Sequence, residues 1–375
     1  MSEPIRILHV IGIMNRGGAE TMIMNLYRHM DRTKVQFDFV ENSAEPAAFD
    51  DEIQRLGGKI YRCPHYNGKN HFTYVKWWNC FFREHRGEYP IVHGHLGSTA
   101  AIYLSIAKKY GAYTIAHSHN TRTQLNLGEI IYAVYSFPTR YIANQLFSCS
   151  RVAAISRYGA KRGGEKSQCI IINNAISTDM FSLSQEHRME IRNELNLGEQ
   201  LVIGHVGRFN PQKNHPFLLE IFSALLKKEP SAVLLLVGGG EDLPKIQAKA
   251  QTLGIAENIR FLGVRSDVAD LMQAMDVFVF PSLYEGLPVT MVEAQASGLP
   301  CLISDKVPEE CIITEGLVDV MPLSASADAW AEKVLEKRKC PRTDHSEEVA
   351  AHGFDIEAEA LKLQEFYQNV YQNQQ

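Results

Sequence analysis

Residues 5–27 run Ile5-Arg6-Ile7-Leu8-His9-Val10-Ile11, then Gly12-Ile13-Met14-Asn15-Arg16-Gly17-Gly18-Ala19-Glu20, then a segment with apolar residues at Met22, Ile23, Leu26 and Tyr27. The first run has the length and apolar character of a buried strand, and the last has the spacing of one helix face. A glycine loop lies between them. Strand, glycine loop and helix in that order open a doubly wound α/β domain. Further strands are expected at Gln36–Val40, Lys59–Arg62, Ile91–His93, Thr114–His117, Val152–Ile155 and Cys169–Ile172. Helical segments separate most of them, which implies a parallel sheet.

The pattern restarts at Leu201-Val202-Ile203-Gly204-His205-Val206, followed by a loop over Gly207–Lys213 and a helix over Phe217–Leu226. Ala232–Val237 with Gly238-Gly239-Gly240, Ile259–Leu262, Val277–Phe280 and Pro300–Ser304 read as further strand-and-loop units. The organisation expected is an N-terminal Rossmann-like domain over 1–175, a polar connection over 176–200, a second Rossmann-like domain over 201–340 and a helical tail over 341–375. At 375 residues the chain is more than twice a typical domain length, as two cores require. In open parallel sheets ligands lie beyond the carboxyl ends of the strands. Two such domains with those ends facing each other would form one cleft.

Hydrophobic residues make up 45% and charged residues 22%, which excludes a disordered or fibrous chain. The net charge of −5 hides a split: residues 1–180 hold 21 Lys/Arg against 14 Asp/Glu, and residues 181–375 hold 17 against 29. Residues 51–170 alone carry 16 basic and 6 acidic side chains. Opposite signs suggest different partners for the two halves. Seven cysteines without a Cys-x-x-Cys pair fit reduced thiols rather than a disulfide framework or zinc site. The start, Met1–Val10, lacks a signal-peptide core. The longest stretch free of Asp, Glu, Lys and Arg, Tyr89–Ala107, is broken by Pro90, Gly94 and Gly97, so no membrane span is expected. A cytoplasmic location is expected.

Chemistry concentrates at strand ends. In Pro281-Ser282-Leu283-Tyr284-Glu285-Gly286-Leu287-Pro288-Val289 a strand gives way to a loop carrying Glu285. Pro288 suits the first turn of a helix and Gly298 its C-terminal end. That helix N-terminus could take a phosphate, while Glu285 and Glu293 could each grip a pair of hydroxyls on a sugar or ribose. Gly207-Arg208-Phe209-Asn210-Pro211-Gln212-Lys213-Asn214 lacks a Walker Gly-Lys-Ser/Thr but places two cations five residues apart before a helix. An Arg fork and a Lys point charge suit a diphosphate, and both would stabilise charge growing on a departing one.

Glu285-x7-Glu293 followed by Ala-x-Ala-x-Gly-x-Pro, Gly-Arg-Phe…Lys-Asn upstream, and the Asn15-Arg-Gly-Gly-Ala-Glu loop together resemble the retaining GT-B glycosyltransferases of family 4. The opening Met-Asn-Arg-Gly-Gly-Ala-Glu resembles the capsule and exopolysaccharide enzymes of that family. The resemblance runs from Ile5 to about Pro300. It implies a GT-B fold with a C-terminal helix crossing back to the first domain. It implies that Gly17 and Gly18 admit the donor phosphate and acceptor, that Arg208 and Lys213 bind the donor diphosphate, and that Glu285 contacts sugar hydroxyls. The backbone of Gly286, Leu287 and Pro288 would meet phosphate and sugar, Glu293 would hold ribose, and backbone groups at Val264 and Arg265 would read a uracil edge. A histidine near the reacting sugar is implied in Ala116-His117-Ser118-His119-Asn120; His119 is preferred over His117 as the residue further past the strand. Where many relatives carry Pro-Asn-Gly-Ile-Asp, this chain has Asn173-Asn174-Ala175-Ile176-Ser177, which changes the hinge more than the chemistry.

No Asp-x-Asp occurs and the histidines show no helical metal spacing, so no metal site and no essential metal or other cofactor is expected. His93-Gly94-His95 sits at a strand end, as a cleft lining or as packing. Aromatic and basic residues mix in Phe72–Arg86 (Trp77, Trp78, Phe81, Phe82) and in Gly128–Phe147 (Tyr132, Tyr135, Phe137, Tyr141). They suit either helix packing or a membrane surface and lipid-phosphate acceptor. No nucleic-acid motif accompanies them. The function expected is transfer of a sugar, with retention, from a UDP-sugar (or GDP-sugar) to a lipid-linked or polysaccharide acceptor. It would occur at the inner face of an anionic membrane. A nucleotide-sugar epimerase and a non-catalytic sugar-nucleotide-binding scaffold are the alternatives.

Overall fold

The apolar run Ile5–Ile11 forms β1, and its glycine loop leads into the helix Gly18–His29, which buries Met22, Ile23, Leu26 and Tyr27. A computed structural model describes residues 3–119 and 127–374 of the chain. They divide into two compact units, residues 1–175 with 356–375 and residues 176–355.

In the first unit β2 (Val35–Glu41), β3 (Ile60–Arg62), β4 (Ile91–Gly94), β5 (Tyr113–Ser118), β6 (Gln145–Ser148) and β7 (Ile170–Ile171) join β1. They form one parallel sheet in the order β3-β2-β1-β4-β5-β6-β7. Every residue of β2 is buried, as expected of a sheet covered on both faces. The second unit repeats the plan with β8 (Val202–Val206), β9 (Val233–Val237), β10 (Ile259–Gly263), β11 (Val277–Phe280), β12 (Cys301–Ser304) and β13 (Val318–Met321), in the parallel order β10-β9-β8-β11-β12-β13. In both sheets the strand order reverses between the first and fourth strands. Those switch points, β1/β4 and β8/β11, are where doubly wound folds bind ligands.

The tail helix Ile356–Gln372 belongs to the first unit. Ile356, Ala360, Leu363 and Tyr367, spaced along one face, are buried with Phe37, Phe39, Ile91 and Phe147. Each large apolar side chain buried there contributes about 1.5–3 kcal/mol.

Three expectations change. Val152–Ile155 is not a strand but part of the helix Arg151–Tyr158, because Ser150 caps its N-terminus by accepting a hydrogen bond from the Ala153 N–H. Residues 176–200 are not a bare connection. They fold into the second unit, where Arg188 and Arg192 on the helix Gln185–Glu194 bridge to Asp276. The segment from 341 to 355 also stays with the second unit, so only Ile356 onward forms the returning tail. Arg342 is tied there to the carbonyls of Met272, Gln273, Met275 and Ser297.

Candidate active site

At the carboxyl end of β8 the chain turns through Gly207 and Arg208, and Asn210 closes a short 3₁₀ turn by accepting from the Lys213 N–H at 3.3 Å. Asn214 then adopts a left-handed conformation (φ 55°, ψ 41°) and starts the helix His215–Leu226. Its amide also donates to the Pro281 carbonyl beyond β11 at 3.1 Å. The two loops of this switch point are thereby stitched together. A second stitch runs through Gln212, whose carbonyl accepts from the Leu283 N–H and whose amide donates to Glu285 Oε2 at 3.0 Å.

Lys213 Nζ lies 2.8 Å from Glu285 Oε1, and the two side chains are only 14% and 5% exposed. The ammonium also stands 4.5 Å from the centre of the Phe280 ring. A shielded ion pair of this kind holds both groups in one geometry while leaving further lone pairs on the carboxylate. Arg208 differs: it is exposed and makes no ion pair or side-chain hydrogen bond among the described residues. The two cations therefore start from different states, one paired with a carboxylate and one free for an anion.

The helix Val289–Ala296 begins with Pro288 as its N-cap, without a side-chain cap, and Gly298 ends it at φ 58°. Pro288 thus stands one residue before the first turn rather than in it. Gly286 is exposed and Leu287 packs on the core beneath. The buried Thr290 hydroxyl in the first turn has no partner among the described residues. Uncapped N–H groups and the positive dipole end are what an anion requires. Glu293, on the same helix, is partly exposed as a residue. Its carboxyl nevertheless accepts no hydrogen bond among the described residues, and burial raises its pKa to about 7.

Around these groups the backbone runs close. A Cβ at Gly238 or Gly240 would stand 2.1 Å from the Gly207 carbonyl oxygen and 2.4 Å from that of Phe209. Both glycines have positive φ (140° and 154°), so side chains are excluded twice over. Beyond β10, Val264 is 73% exposed. The Arg265 guanidinium is engaged by the Asp267 carboxylate. Only backbone and the free Val264 side chain are offered there.

In the first unit Gly17 caps the helix Gly18–His29, and no atom lies within 4 Å of a Cβ built on Gly18. The nearest atoms to a Cβ on Gly17 would be those of the flexible Glu20 carboxylate. Internal packing therefore does not explain these two glycines. The loop before them is anchored by Glu41, which accepts from the Met14 N–H at 2.9 Å and pairs with Arg62.

Five histidines gather at the ends of β1, β4 and β5. His117 lies within β5 and is buried; its Nδ1 is 3.1 Å from His93 Nε2. His119 clears the strand and remains partly exposed, with its Nε2 2.8 Å from His95 Nδ1. His95 Nε2 in turn lies 2.9 Å from His9 Nδ1, and His93 Nδ1 shares a hydrogen bond with the Tyr367 hydroxyl at 2.6 Å. Burial pushes all five imidazoles below their ordinary range, His9 to about 3 and His119 to about 4, so they are neutral at physiological pH. The His-x-His pairs at 93/95 and 117/119 were visible in the sequence, but the strand pairing that brings them together was not. Gln212, Asn214 and the glycines at 238 and 240 were likewise missed as site-building residues. Only the asparagine at 214, a residue type tolerant of positive φ, and the triple glycine carry any local signal.

The aromatic stretches separate. Tyr74, Trp78, Phe81 and Phe82 are buried against Tyr103 and Leu104, which makes the helix His71–Glu84 core packing. Tyr135, Phe137 and Tyr141 are 48%, 50% and 61% exposed. Arg140 and Arg162 lie over the Phe137 and Tyr141 rings at 4.3 and 4.5 Å. A cavity of about 450 Å³, lined by Val134, Phe137 and Arg140 among others, opens beside them. Among the described residues no helix is long and apolar enough to cross a membrane.

Two parallel-sheet Rossmann-like units, each with polar groups at its switch point, define the GT-B class of glycosyltransferases. The chain belongs to glycosyltransferase family 4. Residues 16–179 match the model described as Glycosyltransferase Family 4, and residues 187–350 the one described as Glycosyl transferases group 1. The chain is 35% identical to EpsF of Bacillus subtilis (strain 168), a protein described as a glycosyltransferase, over 98% of this chain and 97% of that one. It is 24% identical to the UDP-Gal:alpha-D-GlcNAc-diphosphoundecaprenol alpha-1,3-galactosyltransferase of Escherichia coli, over 76% of this chain and 77% of the relative. The crystal structure of Anabaena Alr3699/HepE in complex with UDP shares the fold, with a TM-score of 0.80 at 16% identity, covering 97% of this chain and 100% of that one. Family and fold together favour a transferase over the epimerase and scaffold alternatives.

Proposed function

We propose that this protein transfers a sugar from a UDP-sugar to a lipid-diphosphate-linked glycan, with retention at the anomeric carbon, in capsule or exopolysaccharide assembly. The observation that carries the donor side is the shielded Lys213–Glu285 pair at the β8/β11 switch point. It stands in a loop that leads, through an exposed glycine, to an uncapped helix N-terminus.

The donor binds the second unit. Arg208 and Lys213 take the diphosphate together with the backbone N–H groups after Pro288. This neutralises the charge that grows as the diphosphate departs, with no metal ion required. Glu285 keeps its bond to Lys213 and accepts from sugar hydroxyls. Glu293 accepts from the ribose hydroxyls, and backbone at Val264 and Arg265 reads the base. The uridine nucleotide is supported by the UDP-Gal donor named for the E. coli relative and by the exposed strand-end position of Val264, where the resemblance implies base contact. In the first unit, Gly17 and Gly18 leave backbone open to the approaching substrates. His119 is that unit's candidate for contact with the transferred sugar. The exposed Phe137 and Tyr141 with Arg140 and Arg162 form the face that meets an anionic membrane and a lipid-phosphate acceptor. That role passes to these residues from Trp77–Phe82, most of which are core.

The test is nucleotide release from a panel of UDP- and GDP-sugars, with and without membrane extract from the source cell, in the presence of EDTA. Acceptor-dependent UDP release that survives EDTA and is abolished by Glu285→Ala is the expected result. Conversion of donor to an isomeric nucleotide sugar without acceptor would establish the epimerase instead.

A further inference from the structure

The histidine cluster exceeds what one sugar-contacting imidazole requires. In parallel β4 and β5 alternate residues point to one side, so His93 shares a face with His117, and His95 and His119 follow just beyond the two strand ends. His9 joins them through its pairing opposite His93 in β1. One ring nitrogen from each of His95, His117 and His119 lies within 4.8 Å of the other two. His117 Nε2 is buried without a hydrogen-bond partner among the described residues. Native interiors rarely leave such atoms unmatched.

We propose that His95, His117 and His119 form a binding site for one divalent transition-metal ion of the zinc class. The donor set is chemically apt, since imidazole nitrogen suits zinc, and three histidines with an open fourth position form a recognised zinc arrangement. The rings behind the triad already stand where outer partners of a metal site belong. His9 holds Nε2 of His95, and His93, itself held by Tyr367, takes Nδ1 of His117. Those bonds orient the two rings and leave His95 Nδ1 and His117 Nε2 for the ion. Zinc–nitrogen bonds of about 2.0–2.1 Å in a tetrahedral site separate ligand atoms by roughly 3.3 Å. The 2.8 Å between His95 Nδ1 and His119 Nε2 would therefore open slightly on binding. Partial exposure of His95 and His119 provides the entry side.

The triad belongs to the first unit, whereas the residues assigned to the donor diphosphate belong to the second. The ion's consequence rests on the functional reading above. An ion on His119 removes that ring from sugar contact, so zinc becomes a reversible inhibitor of transfer.

The full-length chain, stripped with EDTA and dialysed, is titrated with Zn²⁺ by calorimetry and with Co²⁺ by visible absorption. The expected result is one ion per chain at micromolar affinity or tighter. The cobalt bands should be those of a four- or five-coordinate ion, and affinity should fall at least about tenfold in His117→Asn. Because that variant could fail to fold, ¹⁵N-histidine spectra of the wild type are recorded in parallel. Ring-nitrogen shifts confined to the clustered histidines support the site. No binding by the wild type, binding retained in a folded His117→Asn, or shifts confined to histidines elsewhere would overturn it. Zinc binding at the triad without loss of transfer would leave the site standing and refute only the placement of His119 beside the sugar.

Discussion

Glu293→Gln should stabilise the protein at alkaline pH while weakening its hold on UDP. The Glu293 carboxyl accepts no hydrogen bond among the described residues, and burial raises its pKa to about 7 in the folded chain against an ordinary 4.5. Its protonated form is therefore preferred on folding. The stability it allows is complete below about pH 4.5 and is lost progressively as pH rises toward 7. One pKa unit corresponds to about 1.4 kcal/mol. The displacement from 4.5 to about 7 makes the ionised residue cost roughly 3 kcal/mol at pH 8 and under about 1 kcal/mol at pH 5. Glutamine keeps the shape and never ionises. Urea unfolding of both proteins at pH 5 and pH 8, read by fluorescence and circular dichroism, should show curves that nearly coincide at pH 5. At pH 8 the variant should be more stable by roughly 3 kcal/mol. UDP reverses the ordering: if ribose hydroxyls donate to an ionised Glu293, wild-type affinity strengthens from pH 6 to pH 8, whereas that of Glu293→Gln stays flat. Equal stability differences at the two pH values would show that Glu293 is not held in the protonation state its burial dictates, and the reasoning would fail.

Lys213→Ala removes one member of a shielded ion pair and leaves Glu285 with Gln212 alone, so unfolding should show a loss of about 3 kcal/mol together with lost UDP binding. Arg208→Ala removes a free, exposed cation, and stability should hold within about 0.5 kcal/mol while UDP affinity drops about tenfold or more. A stable Lys213→Ala, or an Arg208→Ala with unaltered affinity by calorimetry, would separate these cations from the roles given to them. Phe137→Ser with Tyr141→Ser should reduce sedimentation with vesicles containing anionic lipid and leave UDP binding by the second unit intact. Unchanged sedimentation would remove that face from membrane contact.

Most of the architecture could be read locally. An apolar run such as Val277–Phe280 is long enough for one strand and bounded by loop residues, so its limits match those observed. The restart of strand, glycine loop and helix at 201 is a pattern within one chain segment. Val152–Ile155 misled because four apolar or small residues suit either structure, and a single cap at Ser150 decides for helix. The two aromatic stretches look alike in composition. Which one packs inside depends on Tyr103 and Leu104, neighbours that only folding supplies.

The sequence by itself determined the class: two doubly wound units, a diphosphate-sized pair of cations, two acidic residues eight apart, and the family that carries them. These are encoded by spacing along the chain, which needs no partner from elsewhere. Only the tertiary structure decided the electrical state of those residues. Pairing of Lys213 with Glu285 across the β8/β11 switch point leaves Arg208 as the cation of the two without a partner among the described residues, and burial moves Glu293 toward neutrality. The same holds for the histidines. His9, His93, His95, His117 and His119 become one cluster because β1, β4 and β5 are neighbours in the sheet, a fact of strand order that no local spacing records.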